Sequence, residues 1–182
     1  MQLQVIKKDG TTEQYMHTKV LGTFNNALDA VGRTNIIAAE QFAEAVTFHL
    51  YHNIDTTTIK GDDIHQYVLI VLKETNYTDA AAALHEHRLC RSIKRARVEV
   101  NCHSHVDNTS HTSLWNKSHI IMSLVERHRM NRTLARAVAS AVEEKVMNLD
   151  MRLIDQYLIE QLVIAETEIL LKAEKQLELA SV

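Results

Sequence analysis

Two lysines near the start of the chain, Lys7 and Lys8, stand directly before an Asp9-Gly10 pair. Strand-forming residues lie on either side, and an Asp-Gly pair between strand formers is a strong signal for a β-hairpin turn. The pattern predicts a hairpin with two ammonium groups at its tip, leading into a helix that begins near His17. Ammonium groups beside a tight turn and a helix start can hold a polyphosphate. A nucleotide site is therefore the first hypothesis, and the alternative is a solvated hairpin whose lysines protect an edge strand.

Histidines and cysteines offer a second kind of chemistry, because both residue types can ligate zinc. Five of them gather in the middle of the chain: Cys90, Cys102, His103, His105 and His111. They contain no Cys-x-x-Cys pair and match no compact zinc motif, so we predict no metal site. The sequence also lacks a P-loop, a nucleophile elbow and a His-Glu-x-x-His motif, and we expect that the protein is not an enzyme.

A run of basic residues occupies the end of the fourth predicted helix: Arg88, Arg91, Lys94, Arg95 and Arg97. Such a run can contact nucleic-acid phosphates, form the wall of a pocket for an anionic ligand, or be a solvated face. The formal net charge of -3 gives the whole chain no bias towards nucleic acid. The sequence therefore leaves a nucleic-acid partner open.

The composition favours long helices. The 182 residues are 46% hydrophobic and include no proline and only 4 glycines, so few residues can interrupt a helix. We predict a mainly α fold. No apolar run approaches the roughly 20 residues that cross a bilayer, and the first ten residues lack the apolar core of a signal peptide. We expect no membrane partner and a cytoplasmic location.

The spacing of the apolar residues predicts seven helices. They begin near residues 17, 34, 62, 77, 115, 131 and 150, and the last ends near 178. Short extended segments are predicted at Thr58-Ile59 and at 98–100. The polar stretch 101–113 shows no helical period and is predicted to be a linker. The predicted organisation is a first domain at 1–100, the linker at 101–113 and a second helical module at 114–182.

The two halves of the chain echo each other. Ala43, Ala45, Val46 and Leu50 recur 96 residues later as Ala139, Ala141, Val142 and Val146. Ile64, Gln66, Tyr67 and Val68 recur 90 residues later as Ile154, Gln156, Tyr157 and Leu158. Together these echoes predict two copies of one helical module, with a loop six residues shorter in the second copy.

The hairpin motif and the residues after it resemble a known family. The residues that carry the resemblance are Val5-Ile6-Lys7-Lys8-Asp9-Gly10, Glu13, His17, Lys19-Val20, Ile64, Val68, Tyr77 to Ala81, and Arg91. Their order and spacing resemble the ATP-cone domain, a nucleotide-sensing module of many ribonucleotide reductases and of a zinc-ribbon repressor of their genes. The resemblance covers residues 3 to about 97 and implies a β-hairpin lid over a helical bundle. The second half resembles a degenerate cone without the hairpin, so the nucleotide site is expected only in the first module.

The resemblance implies a binding site for ATP or dATP. In it, Lys7 and Lys19 contact phosphates, and Lys8 and Arg91 are lesser candidates for the same role. Val5 and Val20 line the base, and Glu13 contacts the adenine edge or the sugar. Mg²⁺ bridging the phosphates is optional, since the sequence shows no dedicated acidic cage.

The resemblance also implies a function. The expected protein is a nucleotide sensor that acts through nucleotide-dependent oligomerisation, as a homo-oligomer, or through binding to a partner such as a ribonucleotide reductase. The exposed helices of the second module are the expected contact region. The alternative is a helical module that binds protein or nucleic acid and has lost nucleotide binding.

Overall fold

The structure is a computed structural model that describes residues 3–8, 10–54, 56–103 and 110–180. The chain divides into two compact units, Met1–Leu89 and Cys90–Val182. Seven helices make up most of the described residues, which confirms the predicted mainly α fold. Within these ranges, no helix is long and apolar enough to cross a membrane.

The first unit combines a small sheet with helices. In chain order its elements are β1 (Gln4–Ile6), β2 (Thr12–Gln14), α1 (His17–Ala30), α2 (Ile36–His52), β3 (Thr58–Lys60), α3 (Gly61–Glu74) and the first part of α4 (Thr78–Arg97). The second unit begins in the last turns of α4 and continues with β4 (Glu99–His103), β5 (Ser110–Leu114), α5 (Lys117–Glu126), α6 (Arg132–Asn148), β6 (Leu153–Asp155) and α7 (Gln156–Ala180). The division after Leu89 lies within the range predicted as one first domain.

The predicted hairpin is present as β1 and β2. Asp9 lies outside the described residues, but Gly10 has a φ of +79°, a left-handed conformation that glycine adopts without steric cost. The Gly10 amide donates to the Lys7 carbonyl at 3.0 Å, and the Lys7 amide donates to the Thr11 carbonyl at 2.8 Å. These bonds hold Lys7 at the end of β1 and close the turn.

Strand β1 is the middle strand of the first sheet. It pairs antiparallel with β2 and parallel with β3, so Val5 lies opposite both Glu13 and Ile59. Strand β3 leads directly into α3, because Gly61 follows the last residue of the strand. The extended segment predicted at Thr58-Ile59 is therefore confirmed, and it ties the hairpin to the start of α3.

The core of the first unit follows the predicted helical spacing. Phe24 and Leu28 lie four residues apart on α1 and are fully buried, and Leu72 of α3 packs in the same cluster. Helix α1 ends at Ala30, and Gly32 just after it adopts a φ of +68°, a left-handed conformation that is common after the end of a helix. A single apolar cluster therefore joins the helices under the sheet.

The prediction of a linker at 101–113 is wrong where the structure describes it. Residues up to His103 belong to β4, and Ser110 onward belongs to β5, an antiparallel partner of β4. Residues 104–109 lie outside the described residues. The strands of a hairpin are held together by backbone hydrogen bonds, so they can carry mostly polar side chains. In this stretch only Val98, Val100 and Cys102 follow the apolar alternation that predicts a strand. The second unit thus has a hairpin ahead of its first helix, contrary to our expectation.

The two units share one sheet topology. The first sheet has the order β2-β1-β3 and the second has the order β5-β4-β6, each with one antiparallel and one parallel pair. The echo at Ala43 and Ala139 falls at matching places, because α2 and α6 each have 17 residues and begin after an asparagine N-cap. This part of the repeat is structural as well as sequential.

The second echo does not mark equivalent positions. Ile64 lies in α3, whereas Ile154 lies in strand β6. The register places Ile154 opposite Val100, as Ile59 lies opposite Val5, so the matching isoleucines are 95 residues apart. The connection before β6 is therefore one residue shorter than its counterpart, not six.

Candidate functional site

Three side chains predicted for the site come together at the hairpin. Glu13 of β2 accepts a hydrogen bond from Lys19 of α1, and Lys7 Nζ lies 3.2 Å from Glu13 Oε2. The Glu13 side chain is 11% exposed, while those of Lys7 and Lys19 are 30% and 36% exposed. Hairpin and helix thus place two ammonium groups around one sheltered carboxylate, with a net charge of +1.

The charges of this group shape its titration. Burial opposes ionisation of Glu13, but the hydrogen bond and charge of Lys19 and the charge of Lys7 outweigh it, so the pKa of Glu13 lies below its ordinary value of 4.5. Glu13 is therefore a carboxylate at neutral pH. It orients both lysines towards one point, and that arrangement suits binding of an anion with more charge than a carboxylate.

The remaining predicted residues of the first unit differ in how deeply they are buried. Val5 and Val20 are buried members of the core cluster. A side chain at Gly61 would meet Val5 Cγ1 and the Ile6 carbonyl at 3.8 Å, so α3 begins close to β1. Lys8 is exposed next to the turn. The predicted contact of the two valines with an adenine ring stays a prediction.

A second polar group, which the sequence analysis missed, forms between α3 and α4. Asp62 pairs with Arg88, and the rings of His65 and His85 stack with centroids 6.1 Å apart. His65 Nε2 is buried and has no hydrogen-bond partner among the described residues. The signal for this group is in the sequence, since Asp62/His65 and His85/Arg88 are both pairs spaced three apart on helices.

The titration of His65 links this second group to the hairpin. Burial, then Arg88 and His85, and finally Lys8 lower the pKa of His65 from 6.5 to about 4, while Asp62 opposes the shift. A charge on Lys8 therefore acts on α3. The hairpin tip and the middle of α4 thus place two cations, Lys8 and Arg88, where their charges act on His65 of α3.

The pKa of His65 predicts a pH-dependent stability. Between pH 6.5 and about 4, His65 binds a proton in the unfolded chain but not in the folded protein. The free energy of unfolding should therefore fall as the pH falls through that window, by about 1 kcal/mol after allowance for solvent screening of a half-buried group. Urea unfolding followed by circular dichroism between pH 7.5 and pH 4.5 measures this slope.

The matched control for that slope is an exposed histidine. His65→Gln should reduce the slope, whereas His128→Gln, on the surface of the second unit, should leave it unchanged. Glu13 does not affect this comparison. The stability that its lowered pKa contributes is lost only as the pH falls below the ordinary pKa of 4.5, which is the lower end of the measured range. Equal slopes in the two variants would contradict the assignment.

Arg91 pairs within the second unit. It belongs to that unit, and its Nη2 atom lies 2.5 Å from Glu143 Oε2. Arg88, one helical turn earlier, is the arginine of α4 that pairs with Asp62 of α3. Three residues rotate a helix by most of a turn, so one turn of misalignment exchanges one arginine for the other. The predicted phosphate contact of Arg91 stays a prediction, and Arg88 is a further candidate for that role.

The basic run of α4 is only partly paired within the protein. Arg88 pairs with Asp62, and both Arg91 and Arg95 pair with Glu143. Because two arginines share one carboxylate, the run keeps an excess of positive charge that phosphate groups of a ligand or of a nucleic acid could meet. The interpretations of the run as a pocket wall and as a nucleic-acid surface both stay predictions.

Three of the five histidines and cysteines in the middle of the chain, Cys102, His103 and His111, lie on strands of the second sheet. Cys102 Sγ is 3.5 Å from Ser113 Oγ, and His103 Nε2 is 2.7 Å from Asp155 Oδ2. Cys90 is exposed on α4, and His105 lies outside the described residues. In the part of the chain that the structure describes, no three such side chains are placed to hold a metal ion.

The second unit lacks the lysine–glutamate group. The strand register puts Cys102 in the place of Lys7 and Ser113 in the place of Glu13. His119, three residues after the N-cap of α5, stands in the place of Lys19. The second hairpin therefore exists without the residues that give the first its charge.

The fold and the site define a class. The first unit packs a three-stranded sheet with helices, and its hairpin and α1 bring two lysines around one carboxylate, an arrangement that suits an anionic ligand. The sequence profile of the ATP cone domain matches residues 3–101, more than half of the chain. The protein belongs to the ATP cone family, which is a nucleotide-sensing regulatory domain that binds ATP or dATP. No curated protein matches the chain in sequence.

Proposed function

We propose that the protein is a regulatory sensor that binds ATP or dATP reversibly in its first unit, without turnover. The observation that carries the proposal is the convergence of Lys7 and Lys19 on Glu13, at the hairpin that the ATP cone match includes. A polyphosphate offers several anionic oxygens to the two ammonium groups, more than the single carboxylate of Glu13 can offer, so it is the better partner for the pair.

The proposed mode of binding uses both polar groups of the first unit. The phosphates take Lys7 and Lys19 from Glu13, while Lys8 and Arg88 supply further positive charge. Glu13 is then released to accept from the adenine amino group or a sugar hydroxyl. His65 Nε2, which is buried without a partner in the described structure, gains a hydrogen bond from the same ligand.

Calorimetry with ATP, dATP and GTP tests this function. We expect saturable binding of both adenine nucleotides at micromolar to low millimolar concentration, with GTP at least about tenfold weaker if base recognition contributes one hydrogen bond. Titrations with and without Mg²⁺ decide whether the metal accompanies the phosphates. Absence of adenine-nucleotide binding would sink the proposal and favour the helical interaction module instead.

The proposed output of binding is a change in assembly with a second copy or with a partner of the ribonucleotide reductase class. Its support is the exposed apolar surface of the second unit, where Leu177 and Leu179 near the end of α7 are 71% and 70% exposed. Light scattering with and without ATP measures the change. An unchanged mass for the chain alone and for its mixture with a reductase would remove this part of the proposal.

We also infer that the second unit is a second cone that has lost the nucleotide site. Its identical sheet order and its matching pair of 17-residue helices support this origin. The replacement of the lysine–glutamate group by Cys102, Ser113 and His119 supports the loss. One adenine nucleotide per chain bound at the hairpin is the stoichiometry that follows, and the same calorimetry reads it as the binding that Lys7→Ala/Lys19→Ala removes.

A further inference from the structure

A buried carboxylate in the second unit is surrounded by more positive charge than it neutralises. The Glu143 side chain is 0% exposed, and its oxygens accept from Arg95 Nε and Nη2, each at 2.8 Å. Arg91 Nη2 lies 2.5 Å and Lys117 Nζ 3.5 Å from Glu143 Oε2. Trp115 Nε1 donates to Glu143 Oε1 at 3.4 Å. Three cations facing one carboxylate leave a net charge of +2 in this group.

Matching positions in the first unit show that this group is a local addition. Glu143 lies 12 residues after the N-cap of α6, as Thr47 lies 12 residues after the N-cap of α2. Thr47 shares hydrogen bonds with Tyr15 at 2.7 Å and with His17 at 2.8 Å. The second unit therefore has a buried carboxylate at the position where the first unit has a threonine hydroxyl.

The cations around Glu143 are partly shielded from solvent. The Lys117 side chain is 24% exposed, and burial lowers the pKa of its ammonium group, with Arg91 and Arg95 adding to the shift against the attraction of Glu143. Cations held close together at reduced hydration attract a counter-anion. The side chains of Arg91 and Arg95 are 45% and 46% exposed, so an anion from solvent can reach them.

The geometry of the guanidinium groups sets the class of anion. Each arginine has five N–H donors, and the contacts to Glu143 use one of them on Arg91 and two on Arg95. The outer edges of two neighbouring guanidinium groups match pairs of phosphate oxygens. A net charge of +2 favours an oligophosphate over a single carboxylate.

We propose that Arg91, Arg95 and Lys117 form an anion-binding site for oligophosphate groups, with Glu143 as the internal carboxylate that holds these cations in place. The site lies wholly within the second unit and shares no residue with the proposed nucleotide site. Either site can therefore fail its test without affecting the other.

Trp115 provides a built-in probe, because it is the single tryptophan of the chain and donates to Glu143. Titration of the full chain with sodium tripolyphosphate at constant ionic strength should change its emission saturably. The change should persist in Lys7→Ala/Lys19→Ala and require at least about tenfold more ligand in Arg91→Gln, since a charge-assisted hydrogen bond is lost. Lys94→Gln removes the same charge from the exposed surface of α4 and should leave the midpoint unchanged.

The outcomes separate the proposal from its alternatives. No saturable response in the wild type, or equal midpoints for Arg91→Gln and Lys94→Gln, would overturn it. A response to ATP but not to tripolyphosphate, or one lost in the Lys7/Lys19 variant, would also overturn it. Arg91→Lys keeps the charge without the planar fork, so an intermediate midpoint supports the site even if Arg91→Gln is poorly folded by circular dichroism.

Discussion

Replacing Lys7 and Lys19 together with alanine is expected to weaken ATP and dATP binding by about a hundredfold or more. Each lysine contributes a charge-assisted hydrogen bond to a phosphate, worth about 1.5–3 kcal/mol, and 1.4 kcal/mol corresponds to a factor of ten. The double variant also leaves Glu13 without these two lysines, so that its charge repels the phosphates. Calorimetry on the variant and the wild type under one salt concentration measures the loss.

The control for this variant is a second double variant with the same net charge. Lys73→Ala/Lys172→Ala removes two exposed lysines from α3 and α7 and should bind ATP within about twofold of the wild type, because long-range attraction is screened by salt beyond a Debye length of about 10 Å. Equal loss in the two double variants would mean that ATP responds to overall charge and not to the hairpin. Unchanged binding in Lys7→Ala/Lys19→Ala would place the nucleotide elsewhere.

Replacing Glu143 with glutamine is expected to lower the free energy of unfolding of the second unit by about 2–3 kcal/mol. Removal of one partner from a buried ion pair leaves the others uncompensated, at a cost of about 3–5 kcal/mol for fully buried groups. The half exposure of Arg91 and Arg95 brings the expected value below that range. Urea unfolding followed through Trp115 emission reports on this unit directly.

A neighbouring residue supplies the comparison for Glu143. Glu144 carries the same side chain one position later, but it is exposed, so Glu144→Gln should change the free energy of unfolding by no more than about 0.5 kcal/mol. If both glutamine variants unfold at the same urea concentration, the cations around Glu143 do not stabilise the unit. The comparison is independent of any ligand.

The sequence predicted the first unit well because its signals are local. The turn signal before Gly10 and the apolar spacing of the helices each act within a few residues, and the described residues show the hairpin strands and the helices where they were expected. Lys7, Glu13 and Lys19 were named through the family resemblance. Their proximity follows from the hairpin, because one turn and one strand separate them.

The predictions from the sequence fail where the contacts are long-range or where the hydrophobic pattern is weak. The second hairpin is polar, so its backbone pairing left no apolar signal beyond Val100 and Cys102. Strand β6 was read as the start of α7, because a strand of three residues is too short to show a period. The group around Glu143 joins residues as far as 52 positions apart, and spacing along one chain carries no information about such partners.

The choice between Arg88 and Arg91 is open in the sequence for the same reason. Both residues fit a basic position on α4, and the sequence cannot fix the rotation of a helix about its axis to within one residue. Only the pairing with Asp62 on α3 and with Glu143 on α6 decides which arginine serves which unit. His65 was not predicted as a site residue, because a lone histidine on a helix is not distinctive until its neighbours in the fold are known.

The central position of β1 has a consequence for the speed of binding. Because β1 is paired on both sides and β3 runs straight into α3, the hairpin and the first turn of α3 form one connected unit. We therefore expect that a nucleotide at the proposed site meets an assembled site, with no flap that must close first. Its association rate should then be set by diffusion and electrostatic steering, and strong and weak ligands should differ in how long each stays bound.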